Sequence, residues 1–337
     1  MAYNIALQFE DSVTRIVKCD DNQLLCDAAY RAKINIPLDC RDGACGTCKC
    51  FVESGTYDRG SYIEDALTEE DADKGYALSC QMRPKSDCVV RIPASSAACK
   101  TQVTKVEGEL VAIDRSSPTT AKFSLRLPEA MSFLPGQYVN IRVPGTQQTR
   151  AYSFSSAPGE TEVSFLIRDV PGGLMSGHIR TQAALGQAMN FDGPYGSFYL
   201  RPQIRPILML AGGTGLAPFL SMLRWIRDNP NDQPILLAYG VNTNDDLVEL
   251  EELDALRARI ANFEYFTVVL DKDSGHPKTG YVTDHLAPAA LYDGECDVYV
   301  CGPPPMVEGV RKWMAGVGVT PRNFLYEKFN ASTEGHK

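Results

Sequence analysis

The sequence predicts a multidomain chain of α+β and α/β class, in which an α+β segment precedes an antiparallel β-barrel and a doubly wound parallel sheet. Nine of the eleven cysteines fall within the first 99 of 337 residues. Short strands separated by Pro and Gly fill residues 104–200, and the last of them is predicted over MNFDGPYGSFYL at residues 189–200. Apolar runs alternate with helical stretches after Arg205, one of which is predicted from Asp246 over DLVELEELDALRARI. We therefore expect three domains, at residues 1–99, 100–204 and 205–337.

Composition and charge are those of a globular protein that does not bind nucleic acid or a membrane. Hydrophobic residues make up 44% of the chain and charged residues 22%, with a net charge of -9 and no basic run. The N-terminus lacks the pattern of a signal peptide, and no apolar stretch reaches the roughly 18 residues of a membrane span. We expect a cytoplasmic protein, whose reducing surroundings favour metal ligands over disulfides for its cysteines.

The N-terminal segment opens with a hairpin and a helix. Apolar residues alternate on either side of a turn at Asp11-Ser12, which predicts two paired strands. Small apolar residues then recur at helical spacing through LLCDAAYRAKI, and Pro37 follows the expected end of that helix. Residues 93–105 are small and polar without periodicity, so we place a linker and the first domain boundary there.

Cysteine spacing is the strongest chemical signal in the chain. The segment DCRDGACGTCKC has the pattern C-x4-C-x2-C and a solitary cysteine follows in ALSCQM, which selects Cys40, Cys45, Cys48 and Cys80. Four thiolates at this spacing are typical of a plant-type two-iron two-sulfur cluster. Gly43 and Gly46 would let backbone N–H groups approach the sulfurs. A zinc site is the alternative, although the x4 gap fits it poorly.

The remaining N-terminal features have plainer interpretations. Cys50 is not needed as a ligand because the spacing is complete without it, and we expect the other cysteines of this segment to be small buried residues. Residues 1–99 carry 16 acidic and 11 basic side chains. The acidic run from Glu64 to Asp73 is either a solvated helix face or a docking surface that acts by electrostatic steering.

Two short segments in the predicted barrel suit a flavin. Arg150-Ala151-Tyr152-Ser153 offers a cation for a pyrophosphate, an aromatic face for the ring and a hydroxyl within reach of its N5 atom. Gly172-Gly173-Leu174-Met175-Ser176 supplies glycines and a helix start, where N–H groups can hold a diphosphate. Each segment alone is also typical of an ordinary strand or turn. Together they predict a flavin site.

Two further turns suit a nicotinamide dinucleotide. Gly212-Gly213-Thr214-Gly215 lies between the strand ILMLA and the helix FLSMLRWIRD, an order that places N–H groups and the helix dipole against a pyrophosphate. Cys301-Gly302-Pro303-Pro304-Pro305-Met306 follows the strand DVYV, at the carboxyl end where such sheets bind ligands. Cys301 is then either a residue of the nicotinamide site or a buried inert thiol.

Charge after the second strand of this sheet favours NADH over NADPH. The 2′-phosphate of NADPH requires a nearby cation, whereas this segment has no Lys or Arg before Arg257. It carries carboxylates at Asp245, Asp246, Glu249, Glu251 and Glu252. Further on, Tyr326-Glu327-Lys328-Phe329 ends the last apolar strand, and Glu327 and Phe329 are either site residues or ordinary strand-end residues.

These motifs resemble two known families in succession. Residues 1 to about 95 resemble the chloroplast-type ferredoxins, which implies a β-grasp fold with Cys40, Cys45, Cys48 and Cys80 as ligands. The remainder resembles the ferredoxin–NADP reductase superfamily through R-x-Y-S, P-G-Q-Y at residues 135–138, G-G-T-G-x-A-P and C-G-P-x-x-M. This likeness implies FAD, with Arg150 and Ser176 at the pyrophosphate and Tyr152 and Ser153 at the ring. FMN stays open.

The same likeness assigns the reacting centre. It implies that Cys301 lies near the nicotinamide, that Phe329 covers the flavin and that Glu327 lies nearby, so we expect Ser153, Cys301 and Glu327 to be the catalytic residues. NADH delivers two electrons as hydride, whereas a two-iron cluster accepts one at a time. A flavin between them can divide the pair, so the three parts make a complete converter.

The domain order as a whole resembles the reductase components of bacterial aromatic-ring-hydroxylating dioxygenases, above all the benzoate and toluate 1,2-dioxygenase type. That likeness implies a terminal Rieske oxygenase as electron acceptor and a role in aromatic degradation. Two alternatives stay open. One is a reductase for a diiron monooxygenase of methane or phenol type, and the other is a redox carrier or sensor without enzymatic activity.

Overall fold

The computed structural model describes residues 2–38, 40–100, 103–115 and 117–329. The chain separates into two compact units. One takes the residues up to Thr104 together with Gly193–Ser197, and the other takes the rest. Among the described residues, no helix is both long and apolar enough to cross a membrane.

The N-terminal part is a mixed sheet of β-grasp type. The predicted hairpin is confirmed, since β1 (Ala2–Phe9) pairs antiparallel with β2 (Thr14–Asp20) and the Phe9 N–H donates to the Val13 carbonyl over 2.9 Å. The remaining strands are β3 (Lys49–Ser54), β4 (Tyr57–Asp58), β5 (Tyr76–Leu78), β6 (Arg83–Pro84) and β7 (Cys88–Ile92). The five-stranded sheet has the order β2-β1-β7-β3-β5, with β1 parallel to β7.

The first helix holds the segment that carries the fourth predicted cysteine ligand. Helix α1 (Leu25–Arg31) begins where the Leu25 and Cys26 N–H groups donate to the carbonyls of Met82 and Ser79, over 3.0 Å each. These are N–H groups that a helix N-terminus leaves without an internal partner. The start of the predicted helix is thereby hydrogen-bonded to the residues on both sides of Cys80 in the sequence. A second, short helix is α2 (Glu69–Asp73), which Thr68 caps.

Six antiparallel strands form the predicted barrel. They are β8 (Thr104–Asp114), β9 (Thr120–Arg126), β10 (Tyr138–Arg142), β11 (Thr149–Ser153), β12 (Glu162–Arg168) and β13 (Ala188–Tyr195), in the order β11-β10-β13-β8-β9-β12. A bridge between Phe154 and Phe165 joins the two ends of this order and closes the sheet on itself. Stacked rings of Phe133 and Phe154, 3.8 Å apart, help fill its core. Helix α3 (Leu174–Thr181) follows β12.

The C-terminal part is a parallel sheet with apolar layers on both faces. Its strands are β14 (Ile207–Gly212), β15 (Ile235–Val241), β16 (Phe263–Val269), β17 (Asp297–Gly302) and β18 (Asn323–Lys328), in the order β16-β15-β14-β17-β18. Helices α4 (Leu216–Asp228) and α5 (Leu250–Arg259) pack on one face and α6 (Pro304–Val317) on the other. The doubly wound fold is confirmed: successive strands are added on one side of β14 and then, from β17 on, on the other side, so the order of strands reverses between β14 and β17.

Two sequence expectations about element bounds are wrong. The helix expected from Asp246 onward begins only at Leu250, because Asp246 instead accepts hydrogen bonds from Thr243 and Glu249 adopts a left-handed backbone with φ of 58°. The last barrel strand ends at Tyr195 rather than running on through residues 196–200.

Candidate functional site

The four predicted cysteine ligands lie together at one end of the β-grasp sheet. The thiols contact one another directly, since Cys45 and Cys80 donate hydrogen bonds that lower the pKa of Cys40, and Cys80 also lowers the pKa of Cys48. As donors to Cys40, Cys45 and Cys80 have raised pKa values. The sulfur contacts run in a chain from Cys45 to Cys40, Cys80 and Cys48. Four thiolates this close need a metal cation beside them, so the donor set fits a cluster.

The cluster loop brings backbone N–H groups to the sulfurs, as the glycines led us to expect. The Cys45 N–H points at the Cys40 sulfur at 3.4 Å. Gly43 has a φ of +83°, and a Cβ atom there would lie 2.5 Å from the Ser61 carbonyl oxygen. The loop therefore folds this closely only with glycine at position 43.

Neither zinc nor Cys50 is needed to explain this geometry. Among the described residues, no three thiol, imidazole or carboxylate groups converge on a single-ion position. A two-iron cluster is larger and divides its four thiolates between two irons, so it does not demand such convergence. Cys50 is buried and donates to the Ala77 carbonyl over 3.4 Å.

The predicted flavin segment forms strand β11 of the barrel. Tyr152 is packed against the barrel core, edge-on to Phe123 at 6.0 Å, and burial raises the pKa of its hydroxyl. Among the residues that the structure describes, Arg150 donates only to its neighbours, the Thr149 carbonyl at 2.8 Å and Gln148 Oε1 at 2.9 Å. Because both contacts are local, its guanidinium can turn toward an anion without breaking a tertiary contact.

The glycine turn before α3 is closed by the predicted serine. Gly172 has a φ of +74°, and the Ser176 hydroxyl accepts from the Val170 N–H at 3.2 Å. A Cβ atom on Gly173 would lie 2.5 Å from Ser176 Oγ. Ser176 therefore braces the turn with its hydroxyl, and the first N–H groups of α3 are the ones placed to meet a diphosphate.

The two nucleotide turns pack directly on each other. A Cβ atom on Gly212 would lie 2.6 Å from Met306 Sδ, and one on Gly215 would overlap the Cys301 carbonyl. A Cβ atom on Gly302 would in turn lie 2.9 Å from Met306 Sδ. Gly213 and Thr214 complete the 3-10 turn that leads into α4. The turns follow β14 and β17, where a dinucleotide binds in sheets of this order.

The three predicted catalytic residues meet in space. Ser153, at the end of β11, donates to Glu327 Oε2 over 3.2 Å, and the Cys301 thiol lies 3.9 Å from the same oxygen. Cys301 and Glu327 are register partners on β17 and β18. Burial, and then the Glu327 charge, raise the pKa of Cys301 well above its ordinary value. The thiol is therefore neutral.

Phe329 lies beside this cluster of three residues. Its N–H donates to the Gly302 carbonyl over 2.9 Å, and its ring packs partly buried against the core of the parallel sheet. Pro303 caps the start of α6 in the same turn. The barrel strand that carries Ser153 and the sheet edge that carries Cys301 thus form one site.

Comparison with protein families divides the chain in the same way. Residues 8–85 match the 2Fe-2S iron-sulfur cluster binding domain, residues 107–199 the oxidoreductase FAD-binding domain, and residues 209–312 the oxidoreductase NAD-binding domain. The chain therefore binds a two-iron cluster, FAD and NAD. The flavin is FAD rather than FMN, the alternative that the sequence had left open.

Whole-chain relatives identify the family. The 2-halobenzoate 1,2-dioxygenase electron transfer component of Burkholderia cepacia is 52% identical over 340 residues, covering 100% of both chains. The toluate 1,2-dioxygenase electron transfer component of Pseudomonas putida is 51% identical, covering 98% of this chain and 100% of the relative. The chain belongs to this family of dioxygenase electron transfer components.

Solved structures and more distant relatives agree with this placement. The reductase resembles the crystal structure of the Amycolatopsis cytochrome P450 reductase GcoB, with a TM-score of 0.72, 30% identity and coverage of 96% and 98% of the two chains. The propane 2-monooxygenase reductase component of Mycolicibacterium goodii is 32% identical, covering 98% of this chain and 99% of the relative. The chain is accordingly an oxidoreductase that takes electrons from NADH to FAD and on to its two-iron cluster.

A set of ion pairs in this reductase escaped the sequence analysis. Lys122 of β9 binds Glu249 over 2.8 Å, and Arg224 of α4 binds Glu252 over 2.8 Å and the Ser155 carbonyl over 2.6 Å. We call these four charged residues, with Lys122 on the barrel and the others on the nucleotide domain, the barrel clamp. A lysine in a strand and an arginine in a helix carry no sequence signal of this role.

Proposed function

We propose that this chain is the reductase of a benzoate- or toluate-type aromatic 1,2-dioxygenase, and that it delivers electrons to a terminal oxygenase of Rieske type. The observation that carries the proposal is the identity of 51–52% along essentially the whole chain with electron transfer components named for toluate and 2-halobenzoate. The 32% identity with a propane 2-monooxygenase reductase component keeps a monooxygenase partner as the rival to be tested.

We assign the site residues as follows. Cys40, Cys45, Cys48 and Cys80 hold the cluster, as their mutual sulfur contacts support. Tyr152 and Ser153 lie at the flavin ring, while Arg150 and the turn at Gly172, Gly173 and Ser176 hold its pyrophosphate. NAD lies on the turns that contain Gly212, Gly213, Thr214, Gly215, Gly302, Pro303 and Met306, and Phe329 covers the ring face.

The catalytic residues act by positioning. Bound flavin supplies the step from a two-electron donor to a one-electron acceptor. Ser153 holds a proton at Oγ, and the Glu327 carboxylate orients that hydroxyl from 3.2 Å. The neutral Cys301 thiol offers a small, buried surface that keeps water away from the reacting atoms.

Preference for NADH rests on the charges after β15. Asp245 and Asp246 follow this strand, and two nearby cations, Lys122 and Arg224, are already bound by Glu249 and Glu252. A third cation, Arg168, interacts electrostatically with Asp246. A 2′-phosphate would therefore meet cations that already face carboxylates. Steady-state kinetics with both dinucleotides test this, and a kcat/KM for NADPH equal to that for NADH would contradict it.

Reconstitution tests the partner. The purified reductase is mixed with NADH, an aromatic acid and either a Rieske oxygenase of benzoate type or a diiron monooxygenase hydroxylase, and product formation is measured per NADH consumed. We expect coupled dihydroxylation with the Rieske oxygenase alone. Turnover only with the diiron component would overturn the partner assignment. Failure of anaerobic NADH to bleach the flavin would favour a carrier or sensor.

We also propose a cytoplasmic location and domain limits at 1–99, 100–204 and 205–337. The eleven cysteines, all within the described residues, include no disulfide, as suits a reducing compartment. Cell fractionation tests the first proposal, and limited proteolysis at residues 100 and 205 tests the second.

A further inference from the structure

Ser79, directly before Cys80, has a buried hydroxyl without a partner. Its side chain is 1% exposed, and its Oγ makes no hydrogen bond of regular geometry with any described residue. Leaving a buried hydroxyl unpaired costs its full desolvation penalty, so native proteins rarely contain one without a reason.

Backbone contacts fix this serine beside a cluster ligand. Its N–H donates to the Cys48 carbonyl over 3.0 Å, and its own carbonyl accepts from the Cys26 N–H over 3.0 Å. The backbone at position 79 is therefore held on both sides by the cluster loop and α1. The Ser79 hydroxyl, in contrast, can rotate about the Cα–Cβ bond toward a hydrogen-bond partner.

Ser79 and Cys48 line one narrow crevice, together with Ile36, Pro37 and Pro93 among others. The crevice leaves no room for the centre of a water molecule. Water therefore cannot satisfy the hydroxyl here. Two other polar side chains line the crevice, but Lys49 binds Asp71 over 2.6 Å and Cys50 donates to the Ala77 carbonyl over 3.4 Å. The Cys48 sulfur is the polar side-chain atom of this lining that remains for the hydroxyl.

We propose that the Ser79 hydroxyl donates a hydrogen bond to the sulfur of the cluster ligand Cys48 and thereby sets the reduction potential of the cluster. The inference rests on the ligand assignment proposed above. Reduction adds negative charge to the cluster and its sulfurs, so a hydrogen-bond donor stabilises the reduced form more than the oxidised form. The hydroxyl thus raises the potential and draws electrons from the flavin.

The test is an EPR-monitored anaerobic redox titration of the whole reductase. We expect Ser79→Ala to shift the cluster midpoint to a more negative potential, by an amount that lowers the flavin-to-cluster equilibrium constant roughly three- to tenfold, where tenfold corresponds to about 59 mV. Ser79→Thr, which keeps the hydroxyl, should stay near the wild type. Ser221→Ala is the matched control, because Ser221 is also buried and unpartnered but lies on α4.

An unchanged potential in a Ser79→Ala variant that retains its cluster overturns the inference. If that variant loses its cluster, Ser79→Cys decides, because the weaker thiol donor should give a smaller negative shift and an unchanged potential refutes the role. Wild-type protein without a reduced-cluster signal would overturn the ligand assignment as well. These two failures are therefore distinguishable.

Discussion

The two nucleotide-binding turns pack so closely that one added Cβ atom would disturb their contact. Gly215 lies so close to Cys301 that a Cβ atom would overlap its carbonyl, whereas a Cβ atom on Gly309 in α6 would have nothing within 4 Å. Neither glycine is constrained by a left-handed backbone, because neither has a positive φ. The difference between them is therefore steric, and it predicts opposite effects of the same substitution.

We expect Gly215→Ala to separate the two turns, raise KM for NADH at least tenfold and lower the thermal unfolding midpoint, since overpacking costs about 1–3 kcal/mol. Gly309→Ala is the control, and it should leave KM unchanged and stabilise α6 by up to about 1 kcal/mol. NADH kinetics and thermal unfolding followed by circular dichroism measure both. Equal behaviour of the two variants would show that the close approach is unimportant.

The carboxylate of Glu327 is the second prediction at this scale. Glu327→Gln keeps the shape and an acceptor for Ser153 but removes the charge, so flavin reduction by NADH in stopped flow should slow about tenfold, and Glu327→Ala should slow it about a hundredfold. Flavin content should not change. Glu264→Gln, an exposed carboxylate on β16, is the control. A Glu327→Ala variant with the wild-type rate would remove Glu327 from the catalytic site.

At the scale of elements, the barrel clamp explains why α5 begins late. Glu249 is held left-handed with a side chain only 10% exposed, between Lys122 of the barrel and Arg224 of α4. A left-handed non-glycine residue costs roughly 1–2 kcal/mol, so its contacts must offset that cost. The clamp, with Ser117 donating to the Asp245 carbonyl over 2.7 Å, joins the loop after β15 to the flavin barrel.

We predict that Glu249→Gly destabilises the reductase by about 1–3 kcal/mol despite relieving the backbone, because it leaves Lys122 without its carboxylate partner and takes one of two carboxylates from the buried Arg224, which keeps Glu252. Asp293→Gly is the matched control, because Asp293 is exposed and also has a left-handed backbone, with φ of 52°. Its replacement by glycine therefore removes backbone strain without breaking an ion pair. It should lie within about 1 kcal/mol of the wild type. Flavin fluorescence during thermal unfolding distinguishes them, and a stabilised Glu249→Gly variant would show that the clamp contributes nothing.

At the scale of the whole molecule, electron flow should stop at a defined point when the cluster is lost. Cys80→Ser removes the buried fourth ligand, so NADH should still bleach the flavin while reduction of cytochrome c falls at least tenfold. Cys50→Ala should keep the cluster and full activity, since Cys50 contacts the Ala77 carbonyl instead. Iron content and visible spectra measure both. If Cys50→Ala lost the cluster while Cys80→Ser kept it, Cys50 rather than Cys80 would be the fourth ligand.

Elements that depend on local sequence patterns could be predicted, whereas a helix start that depends on a long-range contact could not. The alternation around Asp11-Ser12, the glycine turn before α4 and the apolar runs of the parallel sheet depend on neighbours in sequence, and they identify their elements correctly. The start of α5 was missed because it depends on Lys122, which lies 127 residues away from Glu249. Helix propensity along a segment contains no information about such a partner.

The sequence by itself determined the chemistry of this reductase, because four thiolates, a flavin segment and two dinucleotide turns each need a short run of suitable residues at suitable spacing. Only the tertiary structure decided how Ser153 meets Glu327 and Cys301, which lie 174 and 148 residues further along the chain. It also decided that Ser176 braces its own turn and that Ser79 and Cys48 line one crevice. Hydrogen-bond partners and burial depend on atoms that chain folding brings together, and spacing along the sequence does not specify them.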